Sequence, residues 1–175
     1  MLRTLSRIYV IRDAKGPAHG TLVAGILRFP VALGRSGVVS RKREGDGGTP
    51  RGTLPLRRLW YRADRVKRPE TGLPLTATRK DDLWCDASGD RNYNRPVRAP
   101  YPASHETMWR DDGLYDYVVE LGWNDRPVVR GRGSAIFMHL ARDGYKPTEG
   151  CVALRRRDLE RLLPFLGPDT VLVVR

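Results

Sequence analysis

The stretch GSAIFMHLARDGYKPTEGCVALRRRDLERLL, residues 133–163, decides the fold and contains the candidate site. It holds two apolar runs, SAIFMHL and CVAL, which are typical of buried strands. His139 lies at the end of the first run and Cys151 begins the second. If the two strands pair as neighbours in a β hairpin, these side chains lie opposite each other, because directly opposed β carbons are about 4.5 to 5.5 Å apart.

A cysteine opposite a histidine is a candidate nucleophile. A nearby imidazolium lowers the pKa of a thiol, and the thiolate is the reactive form. Gly150 allows the backbone to approach a substrate closely, and the amides of Gly150 and Cys151 are candidate donors to an oxyanion. A structural alternative stays open, and spacing alone favours it, because free cysteines and strand-end histidines are often buried structural residues.

The rest of the chain indicates mainly β structure. RIYVIRD, GTLVAGILRFP, YDYVVELG and DTVLVVR have the apolar content of strands, and another strand is predicted over residues 54–61. The 175 residues and 40% hydrophobic content fit one domain that spans residues 1–175.

One helix and two long loops complete the prediction. The helix follows Cys151, and Pro164 should end or kink it. Its apolar face comprises Leu159, Leu162, Leu163 and Leu166. Residues 41–56 and 86–106 are rich in turn residues and are predicted to be shaped loops.

The net charge of +12 suggests an anionic partner. Specific nucleic-acid binding is disfavoured, because the basic residues are dispersed and no helix-turn-helix, finger or RNP pattern occurs. No window of about 18 apolar residues predicts a membrane span, and no signal peptide is visible. The two cysteines and three histidines lack the spacing of metal ligands, so no metal site is expected, and Cys85 is expected to be structural.

The stretch 133–163 resembles the active-site signature of the YkuD-type L,D-transpeptidases, in which a strand-borne histidine precedes Ser/Thr-His-Gly-Cys and an apolar residue. GRSGVVSRKREGDGGTPRGTLPLR, residues 34–57, is similar to the family's Gly-Thr-Pro-x-Gly segment. YNRPV, SHETMW and LGWNDRPVVRGRGSAIF are similar to a divergent proteobacterial branch. The resemblance implies a mainly β (β-rich α+β) sandwich or barrel, with one or two short helices and long loops around an active-site groove.

The resemblance implies that Cys151 is the nucleophile and His139 the base, with Thr148 and Gly150 at the Ser/Thr and Gly positions of the motif. Glu149 departs from the family, because it stands where the family has a second histidine. A carboxylate at this position opposes thiolate formation. Glu149 should therefore either point away from the thiol or contact a cationic amine of the substrate.

The implied activity is cross-linking of peptidoglycan stem peptides through a cysteine acyl-enzyme, without metal or organic cofactor. The donor bond is left open, and one after the first rather than the third stem residue is an option. A main-chain carbonyl near Leu140 should orient His139. The expected location is the periplasm or cell envelope of a Gram-negative bacterium. Trimming of stem peptides by a carboxypeptidase or endopeptidase, and a non-catalytic wall-binding module, are the alternatives; the oligomeric state is left open.

Five loop residues are candidate substrate-binding groups, in addition to Thr148 and Glu149, because their segments resemble the divergent branch. They are Tyr93, Asn94, His105, Glu106 and Trp109, which would line the groove by stacking and hydrogen bonding. The alternative is that the aromatic side chains pin a long loop to the body of the domain. For His105 and Glu106, a solvated pair is favoured over a second acid-base pair.

Overall fold

The computed structural model describes residues 4–14 and 16–175 and consists mainly of strands. In chain order they are β1 (Arg7–Arg12), β2 (His19–Ala24), β3 (Leu27–Ala32), β4 (Val38–Val39), β5 (Thr49–Pro50), β6 (Gly52–Tyr61), β7 (Leu75–Ala77), β8 (Asp82–Cys85), β9 (Arg95–Arg98), β10 (His105–Thr107), β11 (Tyr117–Leu121), β12 (Phe137–Leu140), β13 (Val152–Leu154) and β14 (Val171–Val174). One α-helix, α1 (Arg156–Leu162), lies within the described residues. One-turn 3-10 helices lie at Asp143–Tyr145 and Leu163–Phe165.

Eight strands close into a barrel-like circuit. Strands β11, β12, β13, β3, β2, β1, β14 and β6 are successive neighbours, and β6 also pairs with β11. The long strand β6 closes the circuit by pairing with both of its neighbours: Gly52 to Pro55 pair with β14, and Leu56 to Tyr61 pair with β11. Strand β7 extends the sheet beside β6, and β10, β8 and β9 form a separate small sheet. The prediction of a mainly β sandwich or barrel with a short helix is confirmed.

The core lies inside this circuit and beneath α1. Strand β2 illustrates the half-buried strands of this sheet. Its side chains point alternately to the two faces, and every second residue, including Leu22, is buried. The predicted leucine face of the helix is also buried; it comprises Leu159, Leu162, Leu163 and Leu166. Pro164 lies in the 3-10 helix that follows α1, as expected for a residue that cannot donate a helical hydrogen bond.

The prediction that residues 86–106 form only a loop is wrong in part. Strands β9 and β10 lie at least partly within this segment, and both pair antiparallel with β8. Their hydrogen-bond partners are distant in sequence, and their side chains are mostly exposed, so neither strand has the apolar alternation that would reveal it. Across residues 4–14 and 16–175, no helix has the length and apolarity needed to cross a membrane.

Candidate active site

Strands β12 and β13 place His139 and Cys151 next to each other. The two strands are neighbours, as predicted, but they run parallel, with His139 aligned to Ala153. The predicted hairpin is therefore wrong. Residues 141–151 form a crossover that returns the chain to the same end of the sheet, which parallel pairing requires.

The parallel register nevertheless puts both side chains on one face. Continuing the register by one residue sets Cys151 beside Phe137, two positions before His139 on the neighbouring strand. The α carbons of Cys151 and His139 are then about 8 Å apart, a distance that the two side chains can span. Both residues line one cavity of about 490 Å³. The thiol is thus buried from bulk solvent but accessible from this cavity.

His139 is held in one tautomer by its own strand. Its Nδ1 lies 2.9 Å from the Leu140 carbonyl oxygen, which can only accept, so Nδ1 carries the proton. The remaining ring nitrogen, Nε2, is consequently the acceptor that a base requires. The Tyr115 ring packs edge-on against the imidazole, with 5.1 Å between ring centroids. The expected orientation by a carbonyl near Leu140 is therefore observed.

Burial keeps both partners neutral. Desolvation, with a smaller contribution from the nearby charge of Glu106, raises the pKa of the Cys151 thiol to about 12. Desolvation also lowers the pKa of His139 to about 4. The structure therefore favours a neutral thiol and a neutral imidazole at pH 7 over the thiolate and imidazolium predicted from the sequence. The Phe137 amide, which donates to Sγ at 3.4 Å, is placed to stabilise a thiolate once it forms.

The turn before Cys151 is fixed by Thr148. The Thr148 hydroxyl donates to the Cys151 carbonyl oxygen at 2.7 Å and accepts from the Gly150 amide at 3.2 Å. Since the Gly150 amide is already engaged, the Cys151 amide is the remaining candidate donor to an oxyanion. Gly150 itself has a φ of +135°, and a β carbon there would lie 2.8 Å from the Gly48 carbonyl oxygen. Only glycine suits this position without strain.

Hydrogen bonds with the segment that contains Gly-Thr-Pro, and with the residue before it, hold this turn in place. The Thr148 amide donates to the Leu33 carbonyl at 2.9 Å, and the Arg35 amide donates to the Thr148 carbonyl at 2.8 Å. Between them, the Gly34 amide donates to the Thr49 hydroxyl at 2.8 Å. The two sequence segments that carry the family resemblance therefore form one hydrogen-bonded unit, although they lie far apart in the chain.

Glu149 lies at the rim of the cavity. Its carboxylate pairs with Arg35 at 3.2 Å, and its side chain is 77% exposed. An ion pair this exposed contributes little to stability. The Glu149 carboxylate is thus exposed and paired with Arg35 rather than with the thiol, and its contact with a substrate amine stays a prediction.

Glu106 is the one residue of the five loop candidates that lines the cavity. Its Oε1 accepts hydrogen bonds from the Tyr115 hydroxyl at 3.1 Å and from Arg110 at 3.3 Å. Its Oε2 has no partner within the described part of the chain. His105 precedes Glu106 on β10 and is exposed, with its Nδ1 2.7 Å from the Ala103 carbonyl oxygen. As neighbours on a strand, the two side chains point to opposite sides, so they do not form the predicted solvated pair.

Tyr93 and Asn94 do not line the cavity but support its wall. The Tyr93 side chain is buried, and its hydroxyl donates to Glu44, a cavity residue that also accepts from Ser134 at 2.8 Å. The Asn94 Oδ1 accepts from the Ala135 amide at 3.1 Å. The Ala135 carbonyl in turn lies 3.3 Å from Sγ of Cys151. Both residues thus act on the site indirectly rather than as the groove residues predicted.

Trp109 is likewise outside the cavity lining. Its ring is covered by the Arg62 guanidinium, whose carbon lies 3.5 Å from the ring centroid. This contact bears out the alternative in which an aromatic side chain fixes a loop.

Among the cavity residues that the sequence reasoning missed are Tyr115, Arg110 and Glu44. Tyr115 was assigned only to a strand segment, and Glu44 only to a glycine-rich loop. No spacing rule connects these positions, since Glu44 lies between β4 and β5 whereas Arg110 and Tyr115 lie between β10 and β11. Within residues 4–14 and 16–175, no group of His, Cys, Asp and Glu side chains could hold a metal ion.

Comparison with known proteins agrees with this geometry. The model of one protein family, described as YkuD, L,D-transpeptidase catalytic domain, matches residues 6–174. No curated protein and no solved structure shows a significant match to the chain.

Proposed function

The chain belongs to the YkuD family of L,D-transpeptidase catalytic domains, and from this membership we propose that it cross-links peptidoglycan stem peptides through an acyl-enzyme on Cys151. As a member of this family, the chain is an L,D-transpeptidase-type enzyme that acts on peptidoglycan peptides. The observation that carries the finer proposal is the shared face of β12 and β13, on which a thiol and a correctly protonated imidazole line one open cavity.

In the first half-reaction, the donor carbonyl on an L-configured centre of the stem enters beside Cys151. The Nε2 of His139 takes the thiol proton as Sγ attacks the carbonyl carbon. The carbonyl oxygen becomes an oxyanion opposite the Cys151 amide, which donates to it. When the intermediate collapses, the C–N bond breaks, and the imidazolium returns its proton to the leaving amine.

In the second half-reaction, an amine of a neighbouring stem replaces the amine that left. Glu106 is suited to hold this amine as an ammonium ion, because it lines the cavity and its Oε2 is unpaired within the described residues while Tyr115 and Arg110 fix its Oε1. After losing one proton to solvent, the amine gives a second to His139 as it attacks the thioester. The new amide bond forms, the thioester C–S bond breaks, and the imidazolium of His139 returns its proton to Sγ, so that Cys151 leaves as the thiol. Water in place of the amine would release a trimmed stem.

Defined muropeptides test the proposal directly. The purified protein is incubated with stems of two to five residues, and the products are resolved by mass spectrometry. Cross-linked dimers that disappear in Cys151→Ala, but persist in Cys85→Ala, are expected. The same spectra identify the donor bond. Shortened monomers without dimers would favour the hydrolase, and sacculus binding without any product would favour a non-catalytic wall module.

The proposed location follows from the proposed substrate. Stem peptides are cross-linked outside the cytoplasmic membrane, so the periplasm or cell envelope of a Gram-negative bacterium is proposed. Fractionation of cells that express the native gene at its natural level would test this, with recovery in the cytoplasmic fraction alone as the contrary result.

A further inference from the structure

A second cavity of about 490 Å³ lies beside the catalytic one. The loop of residues 40–45 separates the two, because residues 40–43 line the second cavity whereas Glu44 and Gly45 line the catalytic cavity. The second cavity is also lined by Trp123 and Arg132. A peptide that crosses this loop would therefore contact both cavities.

The second cavity concentrates uncompensated positive charge. Arg41, Arg43 and Arg132 line it, and none of their side chains has a carboxylate partner within the described residues. Arginines elsewhere are often paired, as Arg57 is with Asp125 at 2.8 Å. Like charges around one concavity repel each other, so their convergence favours an anionic ligand.

The lysine of this loop does not add to the open charge. Lys42 is buried, and its Nζ lies 2.5 Å from Asp46 Oδ1. The Asp46 carboxylate also accepts from the amides of Arg43 and Gly48. Lys42 therefore fixes the loop, while the arginines remain available for a ligand.

The wall of the second cavity is preorganised. The Trp123 indole N–H donates to the Arg132 carbonyl at 2.8 Å, and the Glu44 amide donates to the Gly131 carbonyl at 2.8 Å. The Asn124 amide group donates to the carbonyls of Val129 and Gly133, each at 2.9 Å. Holding the backbone in this way reduces the ordering cost of binding.

We propose that the second cavity binds a free carboxylate of the stem peptide whose neighbouring segment occupies the catalytic cavity. Planar guanidinium groups match carboxylates, and the Trp123 ring offers an apolar wall to the adjoining aliphatic or sugar portion. The inference rests on the proposed function, because that function supplies a substrate with free carboxylates. Its role is to select stems by charge and to fix how far the donor reaches toward Cys151.

Binding is tested on the full chain by tryptophan fluorescence. The probes are a tetrapeptide stem with free carboxylates, the same stem with its carboxylates amidated, and inorganic phosphate. The proteins are wild type, Arg43→Gln, Arg132→Gln, and the matched control Arg28→Gln, which removes an exposed arginine of β3. Circular dichroism confirms that each variant is folded.

The free stem should bind wild type about tenfold more tightly than the amidated stem. Arg43→Gln and Arg132→Gln should each weaken binding of the free stem about tenfold and leave the amidated stem unchanged, whereas Arg28→Gln should change neither. Equal affinity for the two stems, an equal effect of Arg28→Gln, or phosphate binding as tightly as the free stem would overturn the proposal.

This test is independent of turnover. Selective binding without any cross-linked product in the muropeptide assay would overturn the proposed function alone. Cross-linked product with unchanged affinities in the arginine variants would overturn the carboxylate site alone.

Discussion

Replacing His139 with Gln should reveal how Cys151 becomes nucleophilic. Burial raises the pKa of the Cys151 thiol to about 12. A thiol with that pKa holds about one thiolate in 10⁵ molecules at pH 7, whereas a thiol at the ordinary value of about 8.5 holds about one in 30. The protein overcomes this deficit only if His139 removes the proton during the attack, through the Nε2 that its hydrogen bond to Leu140 leaves free.

The pH dependence follows from the two neutral groups. Acylation of wild-type Cys151 by a carbapenem should be nearly constant between about pH 5.5 and 8, because burial lowers the pKa of His139 to about 4. In His139→Gln, the rate at pH 7 should fall by at least about 100-fold. The residual rate should rise about tenfold per pH unit as far as pH 10, since only the thiolate then reacts.

Intact-protein mass spectrometry after rapid quenching measures these rates. All proteins carry Cys85→Ala, so that a single thiol is counted. The matched control is His105→Gln, which alters an exposed histidine outside the cavity and should react like wild type. A wild-type inflection near pH 6.5, or a plateau of the His139→Gln rate below pH 9, would refute the reasoning from burial.

Three further predictions concern the same site. Gly150→Ala should lower the free energy of unfolding, measured in urea, by about 2 to 4 kcal/mol, because the new β carbon meets the Gly48 carbonyl oxygen at a residue with positive φ. The control Gly89→Ala should change this free energy by less than about 1 kcal/mol, because the space around Gly89 is open. Tyr115→Phe should preserve acylation of the cysteine but raise the KM for the acceptor amine about fivefold in transfer assays, since the hydroxyl no longer anchors the acceptor-binding carboxylate. Because burial lowers the pKa of His139, the unfolded state takes up a proton at a higher pH than the folded state, and the free energy of unfolding should fall by about 3 kcal/mol as the pH drops from 6.5 to 4. A His139→Gln protein should lack this loss in acid titrations followed by circular dichroism.

The sequence predicted those parts of the fold that depend on local pattern. The leucine face of α1 and the break at Pro164 follow from side-chain spacing and from a missing amide proton, and both are observed. Strand direction has no such local signal. The parallel pairing of β12 with β13 depends on where residues 141–151 cross. That path is fixed by the Thr148 amide, which donates to the Leu33 carbonyl, and by the Arg35 amide, which donates to the Thr148 carbonyl.

The candidate site likewise contains residues that local sequence pattern predicts and residues that it does not. His139, Cys151 and Thr148 lie close in sequence and were found together, whereas Glu106, with its partner Tyr115, reaches the cavity from other segments. The charge states could not be predicted, because they depend on burial rather than on residue type. A cysteine and a histidine on one face suggest an ion pair, but burial disfavours the charged form of each group in this site.

The placement of β14 has a consequence for the order of folding. This strand sits between β1, to which it is parallel, and β6, to which it is antiparallel, yet it is translated after every other strand of the circuit. Until residues 171–174 insert between β1 and β6, the folding chain has two unpaired strand edges that can capture other chains. Deletion of residues 171–174 would leave both edges open, and the protein should then aggregate as it folds.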